Sequence, residues 1–591
     1  MEKPISALAL AWDGLVTRAR RAVPLGEDNF FLILAVVIGV TSGLAVVCFR
    51  KAIDLTSRWL FGAAPHIGAL RLLLVPTITG FALAALVILV FPGARGTGVN
   101  QTKSAVYIYN GYISFRTVIG KFISSALAIG SGQSLGPEDP SLQMGAGIAS
   151  VLGRNLQLSR EKLRLLAPVG AAAGLAAAFN APIAAVIFVI EEIIGNWTAG
   201  ILGAVILAAA SSVVVMRLFL GAAPMFRIPE YRMVHPTEML AYAVLGVIGG
   251  IASLVFAKLL SLLRARTTAL PPWTRYFQPA IAGLAIGVIA LKFPQVMGSG
   301  YSSLDQVMTG HFVWHILLLL ALLKILATVF SVSSGAPGGM FAPALFVGGM
   351  LGAAVGTLQA RFFPAYTGPV GAYALVGMGT LFAGFLRVPM TSVFMVLETS
   401  GNYSIILPVM VSNTIAYLVS RQFQHLPIFD VLTAQDGLNL PSMEEHRESR
   451  ILRVEDAMQP PPAVTLRGEE TVESALARAA ETTGATLLAS SIAGRWSVVK
   501  RADLEEAARQ GKQLESVAAA TPGERLSRLH GDQPLEVALR FLRESQFLPV
   551  VHRANPRALV GVLSLENLLS AYRTVSATDS AVPAGSGPVA A

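Results

Sequence analysis

Ala167–Glu192 reads APVGAAAGLAAAFNAPIAAVIFVIEE, and Val376–Thr399 reads VGMGTLFAGFLRVPMTSVFMVLET. The two stretches share one spacing: Gly170 with Gly377, Pro182 with Pro389 and Glu191 with Glu398 are each 207 residues apart. A second match lies upstream, where GPEDPSLQMGAG (Gly136–Gly147) faces GGMFAPALFVGG (Gly338–Gly349), pairing Pro140 with Pro343, Leu142 with Leu345 and Gly145 with Gly348 at 203 residues. A third pairs Gly96-Thr97-Gly98 with Gly298-Ser299-Gly300 at 202. Each half keeps one order: a Gly-x-Gly break, a Gly/Pro-interrupted apolar helix, then an apolar stretch ending in an acid. Duplicated apolar segments broken by Gly and Pro mark transporters whose site lies at the repeat interface.

Composition points the same way. Of 591 residues 54% are hydrophobic and 14% charged, with a mean hydropathy of +0.62, against about 25% charged in soluble domains. From about Phe30 to Ser420 apolar runs recur: Phe31–Phe49, Leu72–Phe91, Ile201–Leu220, Met239–Leu260, Ile281–Leu291 and Trp314–Phe330. Several approach the ~20 residues that a spanning helix needs, whereas Met144–Leu152 reads as too short to span. Short or broken helices persist in a membrane only where protein or a watery cavity satisfies their backbone.

Met1–Asp28 carries no cleavable signal pattern. Arg18, Arg20 and Arg21 precede the first span and Arg421 follows the last, which predicts an integral protein of the cell (inner or plasma) membrane with both ends in the cytoplasm. The net charge of +10 is then mostly a topology signal. Cys48 is the lone cysteine and forms no intrachain disulfide. His66, His235, His311 and His315 lack metal-ligand spacing, and no nucleic-acid motif is present.

After Phe429 the chain turns polar and charged. The reading divides it into an N-terminal segment (1–29), a membrane domain (30–432, repeats about 30–220 and 235–432), a linker (433–451), two small α/β units (452–512 and 513–573) and a disordered Ala/Gly/Pro/Ser-rich tail (574–591). Alternating short helices and strands, used twice, underlie the α/β assignment.

These motifs resemble the CLC family of chloride channels and proton/chloride exchangers, followed by a tandem pair of CBS domains. The stretch GAAAGLAAAFNAPIAAVIFVIEE is the most specific, and Gly339-Met340-Phe341-Ala342-Pro343 resembles the family's Gly-x-Phe-x-Pro anion loop. GPEDP (Gly136–Pro140) resembles Gly-Arg-Glu-Gly-Pro, with Pro137 and Asp139 in place of Arg and Gly. GTGVN (Gly96–Asn100) resembles Gly-Ser-Gly-Ile-Pro, and Phe429 stands where most members have Tyr. The resemblance implies an all-α polytopic fold of two inverted repeats with a cytoplasmic CBS pair, working as a homodimer in the bilayer.

An anion in a bilayer must recover its hydration energy, and helix N-termini supply it through free N–H groups and the positive dipole end. Gly96–Val99, Gly136–Pro140 and Gly339–Pro343 have that character. Expected anion-path residues are Thr97, Gly98, Gly339, Phe341 and Phe429. Glu138 is the expected gate and proton carrier, since a carboxylate mimics the transported ion; its repeat partner is Phe341, so duplication alone requires no acid there. Glu191, matched by Glu398, is expected to bond a helix end. Glu192, opposite Thr399, is an intramembrane acid outside the repeat pattern, and by resemblance matches the internal proton-transfer glutamate of exchangers. An acid at the cytoplasmic end in contact with water is the open alternative.

Phe429 lacks the hydroxyl that would donate to a central ion. In the CBS-like pair Asp503 matches the family's ribose-binding acid and Asn567 stands at that place in the second repeat, which leaves adenine nucleotide binding open; no other cofactor is required. Chloride and protons are the expected substrates. A passive chloride channel on the same fold is the nearest rival, and a CBS-regulated metal-cation transporter a distant one.

Overall fold

The computed structural model describes residues 27–62, 68–156, 158–195, 199–226, 233–310, 312–438, 440, 452–482, 486–491, 494–521, 523–542 and 546–571. The N-terminal arginines, His66 and His311, most of the polar linker and the C-terminal tail lie outside them. The chain divides into two units, Met1–Arg447 and Glu448–Ala591.

The first unit is helical, and among the described residues eight helices are long and apolar enough to cross a membrane. Its order repeats. Helices α1 (Glu27–Phe61), α2 (Ala69–Ala85), α3 (Gly98–Tyr107), α4 (Phe115–Gly130), α5 (Glu138–Asn155), α6 (Arg160–Phe179), α7 (Pro182–Phe188) and α8 (Ala199–Leu220) form one series. Helices α9 (Glu238–Ala269), α10 (Gln278–Ala290), α11 (Tyr301–Met308), α12 (Trp314–Ser333), α13 (Phe341–Phe362), α14 (Val370–Leu386), α15 (Pro389–Ser400) and α16 (Ile406–Phe423) form the second. A short helix, α17 (Ile428–Gln435), has no counterpart among the described residues of the first series.

One expectation is corrected. Met144–Leu152 is not a short element but the second half of α5, an 18-residue helix, about 27 Å long at ~1.5 Å per residue. Counting apolar residues stopped at Gln143, yet polar residues there are buried in protein rather than lipid: Ser141 Oγ donates to the Pro137 carbonyl at 2.8 Å.

Between apolar helices in a membrane little hydrophobic force remains, so close packing over small residues takes its place. A Cβ built on Gly145 would stand 2.1 Å from the Gly170 carbonyl oxygen, and one on Gly348 2.2 Å from that of Gly377. Helices α5 and α6 therefore meet as α13 and α14 do. Elsewhere the contacts are reciprocal across the repeats. Gly80 packs on Pro279 and Ala280, while Gly283 packs on Pro76 and Thr77. The backbone N–H of Gly136 donates to Gly339 and that of Gly339 to Gly136, both at 2.8 Å. Glu191 accepts the backbone N–H groups of Met390 (3.2 Å) and Thr391 (2.8 Å) at the start of α15. Glu398 in return accepts those of Ile183 (3.0 Å) and Ala184 (2.8 Å) at the start of α7. Contacts in which i meets j and j meets i are the mark of a two-fold relation. The expected helix-end role of the Glu191/Glu398 pair is thus what the geometry displays.

The second unit is α/β. Strands β1 (Thr465–Arg467), β2 (Thr486–Ser490), β3 (Trp496–Lys500) and β4 (Glu524–Leu526) form a sheet in that order, β1 parallel to β2 and the rest antiparallel. Strands β5 (Phe547–Val551) and β6 (Leu559–Ser564) pair antiparallel. In the first half β1, helix α19 (Val472–Ala479), β2, β3 and helix α20 (Arg501–Arg509) follow one another, after a single-turn α18 (Val454–Ala457). After α21 (Val517–Ala520), the second half runs from a parallel bridge of Leu529 to Val550, through α22 (Leu535–Phe541), β5 and β6, to a helix over 565–571. Trp496 joins the halves: its ring packs with Leu488 and Val551, and its Nε1 donates to the Pro556 carbonyl at 2.9 Å.

The reciprocal caps give a first test. A carboxylate accepting N–H groups in a dry helix start is worth about 1.5–3 kcal/mol per bond. Glu191 also accepts the Thr391 hydroxyl at 2.6 Å, so Glu191→Ala should lower the thermal unfolding temperature in detergent more than Glu398→Ala. Equal or reversed losses would contradict the caps described.

Candidate functional site

The Gly136–Gly339 bridge brings together the starts of α5 and α13, whose first turns carry unpaired backbone N–H groups. Glu138, the first residue of α5, is wholly buried there. A Cβ built on Gly136 would strike Glu138 Oε2 at 2.2 Å and stand 3.1 Å from the backbone nitrogen of Ala342. The carboxylate thus lies where the two helix starts converge, the place physics assigns to an anion. Its Oε1 accepts the Tyr301 hydroxyl, and the backbone N–H groups of Glu138 and Ala342 face the same carboxylate.

Phe341, the first residue of α13, is also buried. Its ring meets those of Phe188 (5.1 Å), Phe382 (5.3 Å), Phe179 (6.0 Å) and Phe429 (6.1 Å). Phe429 lies in α17, and its carbonyl accepts Asn100 Nδ2 at 3.1 Å, tying it to α3. Thr97 caps α3 in extended backbone conformation without bonding its own helix through the side chain. Gly98 follows it, and a Cβ there would stand 2.0 Å from the Asp139 carbonyl oxygen, so only glycine admits this approach. Gly339 lies against Asp139, at 3.0 Å from a built Cβ to the Asp139 side chain. The structure therefore brings Glu138, Phe341, Phe429, Gly98, Gly339 and Thr97 into one neighbourhood around the repeat junction.

Two cavities flank it. One, about 370 Å³, is lined by Arg50, Pro137, Asn180, Ser299 and Tyr301. The other, about 390 Å³, is lined by Arg95, Thr97, Asn100, Arg264, Arg275 and Asp436. Ser299 in the first and Thr97 in the second are repeat partners, as are Ile129 and Val332, so each cavity is the counterpart of the other in the repeat. The second is rich in arginine, which concentrates anions in a low-dielectric mouth.

Glu191 and Glu192 sit on a π-helical turn, Val189–Ile194, which continues α7. Such turns are frequent at functional sites. Adjacent positions on a helix diverge, so Glu191 reaches α15 while Glu192 turns toward α3. Glu192 is buried and ion-paired: Lys103 Nζ stands 2.9 Å from its Oε1 and 2.8 Å from Asp430 Oδ1. The alternative of an acid in contact with water does not hold.

The sequence reading missed Lys103, Lys121, Lys324, Asp430 and Tyr301. Lys121 Nζ donates to the carbonyls of Ala94 (3.2 Å) and Gly96 (2.5 Å). Lys324 Nζ does the same for Val296 (2.9 Å) and Gly298 (2.7 Å). These two buried lysines anchor the Gly-x-Gly breaks, and their separation of 203 residues inside apolar runs was a legible signal. Asp139, which stands in place of a Gly, has its Oδ2 accept the Met340 N–H at 3.3 Å across the junction. In the second unit Asp503 lies in the first turn of α20, and the Asn567 N–H donates to Ser564 Oγ at 3.2 Å in the matching helix start.

Comparison with known proteins agrees with this architecture. The family model described as voltage gated chloride channel matches residues 79–421. A putative chloride channel protein, ClcB-like, of Ralstonia nicotianae is 32% identical over 403 residues, 66% of this chain and 93% of that protein. The H(+)/Cl(-) exchange transporter ClcA of Salmonella arizonae is 32% identical over 420 residues, 68% of this chain and 88% of that protein. Among solved structures, a slow cyanobacterial Cl-/H+ antiporter matches with a TM-score of 0.63 at 25% identity, covering 70% of this chain and 98% of that one. A eukaryotic CLC transporter matches with a TM-score of 0.60 at 20% identity, over 91% of this chain and 97% of the other, a likeness of fold. With the two-fold helix junction and the family match in hand, the chain belongs to the voltage gated chloride channel, or CLC, family.

Proposed function

We propose that this protein exchanges chloride for protons across the membrane, with Glu138 as the gate. The observation that carries the reading is the Glu138 carboxylate seated between the starts of α5 and α13, between two cavities. Ionised, it occupies the anion's place; protonated, it loses the charge that holds it there, and chloride enters. One residue then moves both ions. Relatives at 32% identity that are named H(+)/Cl(-) exchange transporters support this reading.

Thr97, Gly98, Gly339, Phe341 and Phe429 line the anion path in this scheme. Glu192 passes protons to the arginine-rich side, starting from its ion pair with Lys103. Pairing with a buried cation holds Glu192 in reach of water-excluded neighbours at a desolvation cost that a passive pore has no need to meet. The repeats have inverted topologies, two copies of the chain form a homodimer in the cell membrane, and both ends lie in the cytoplasm. The second unit acts as a tandem CBS pair, a reading supported by its twofold strand–helix–strand–strand–helix order, with Asp503 and Asn567 at the place of an adenine nucleotide's ribose. A passive channel is the second reading: Phe429 offers no hydroxyl to the ion, and one relative is named a putative chloride channel.

Paired chloride and proton fluxes in liposomes under a chloride gradient separate the two. Proton uptake against its gradient is expected; chloride flux without proton movement would leave the channel reading standing. Glu138→Gln should keep or raise chloride flux, abolish its dependence on external pH and stop proton movement, while an unchanged pH response would remove Glu138 from the gate. Glu192→Gln should abolish uphill proton movement and leave chloride flux largely intact; persistence of proton pumping would make Glu192 structural. Phe429→Tyr should tighten chloride binding by about 1.5–3 kcal/mol, less the cost of ordering the ring. Isothermal titration with chloride showing no gain would place Phe429 out of reach of the ion.

A further inference from the structure

We infer that Tyr301 is a latch on Glu138, a positioning residue that holds the carboxylate in the anion's place and makes chloride compete for entry. The inference rests on the gate reading of Glu138 and goes beyond it.

Tyr301 opens α11, directly after the Gly298-Ser299-Gly300 break, where Gly300 takes a positive φ of 81°. That turn aims the ring across the repeat junction rather than along its own helix. The hydroxyl donates to Glu138 Oε1, a charge-assisted bond when the acid is ionised and therefore among the stronger ones available to a neutral donor. The buried Phe226 packs edge-on to the ring at 5.9 Å. Phe226 is itself fixed, its N–H donating to the Thr399 carbonyl at 3.0 Å. The contact seats the ring, which lowers the cost of ordering the hydroxyl.

Two further facts separate a latch from ordinary packing. Tyr301 lines the 370 Å³ cavity together with Pro137 and Ser299 while its hydroxyl bonds the carboxylate, so the residue touches both. The repeat partner of Tyr301 is Val99, which carries no donor, just as the partner of Glu138 is Phe341. The scaffold's two-fold supplies neither residue; the donor and the acid it serves occur together in the same half of the site. Backbone N–H groups of Glu138 and Ala342 also face the carboxylate, and the Tyr301 hydroxyl is the side-chain donor that joins them. Removing that bond weakens the seated carboxylate against chloride without altering the helix starts that bind the ion.

The test uses the full-length protein in liposomes and chloride itself as the probe. Tyr301→Phe keeps the ring and its Phe226 contact. It should lower the half-saturating chloride concentration about ten- to a hundredfold, the scale of one hydrogen bond to a charged group. Maximal flux should change less than about twofold, a split that a general packing defect would not produce. Glu138→Ala should also lower half-saturating chloride, and adding Tyr301→Phe to it should bring no further change. Phe226→Leu, which loosens the ring's seat, should shift half-saturation the same way by a smaller factor and only while Glu138 is present. No change from Glu138→Ala would overturn the gate and the latch together. A change from Glu138→Ala with none from Tyr301→Phe, or additive effects of the two, would overturn the latch alone.

Discussion

The structure depends on two helix starts held nose to nose inside a membrane. Backbone N–H groups at a helix start are costly in a medium without water unless something accepts them. Here the Gly136–Gly339 bridge satisfies one pair of them mutually and leaves the following turns of α5 and α13 aimed at a common point. That arrangement needs backbones closer than side chains permit, which is why glycine recurs at Gly98, Gly136, Gly145, Gly348 and Gly377. It also needs the loops before the helices to be anchored. Lys121 and Lys324 do this by gathering the carbonyls of each Gly-x-Gly break, with both ammonium groups fully enclosed. The anion-attracting point is thus built from backbone, and side chains decide what occupies it.

The sequence made the duplication legible because a two-fold scaffold repeats its steric demands at fixed offsets. Gly170 and Gly377 must both admit a neighbouring carbonyl; Glu191 and Glu398 must both cap a facing helix. Apolar periodicity was a weaker guide. It truncated α5, since residues such as Ser141 and Gln143 face protein rather than lipid and their polarity carries no penalty there. The same environment hid the buried lysines: a search for apolar runs treats each as an interruption, whereas each is a structural ligand for carbonyls.

Pairings between distant segments were not legible at all. Lys103 stands 89 residues from Glu192 and 327 from Asp430, and nothing in the spacing announces that the three share one buried ion cluster. Tyr301 lies 163 residues from Glu138 and opens a helix whose first repeat copy carries Val99. Internal comparison could have flagged both positions. Lys103 faces Asp305 at the repeat offset and Tyr301 faces Val99, so each is a place where the copies disagree in charge or in hydrogen-bonding capacity.

Those disagreements carry the functional argument further than the agreements do. A perfectly two-fold protein would offer the same mouth to both sides, and neither ion would meet a different gate on leaving than on entering. Glu138 against Phe341, Tyr301 against Val99, Glu192 against Thr399 and Lys103 against Asp305 each break the relation. Helix α17 adds the largest break. It has no counterpart among the described residues of the first series, and its neighbouring residues make separate contacts, Phe429 meeting Phe341 and Asp430 meeting Lys103. Lys103 in turn holds Glu192. A displacement of α17 that opens the ring contact therefore also disturbs the ion cluster, because residues adjacent in one short helix cannot move independently. Symmetry builds the junction of helix starts, and the unmatched helix α17 ties that junction, through Phe429, to the buried acid, through Asp430 and Lys103.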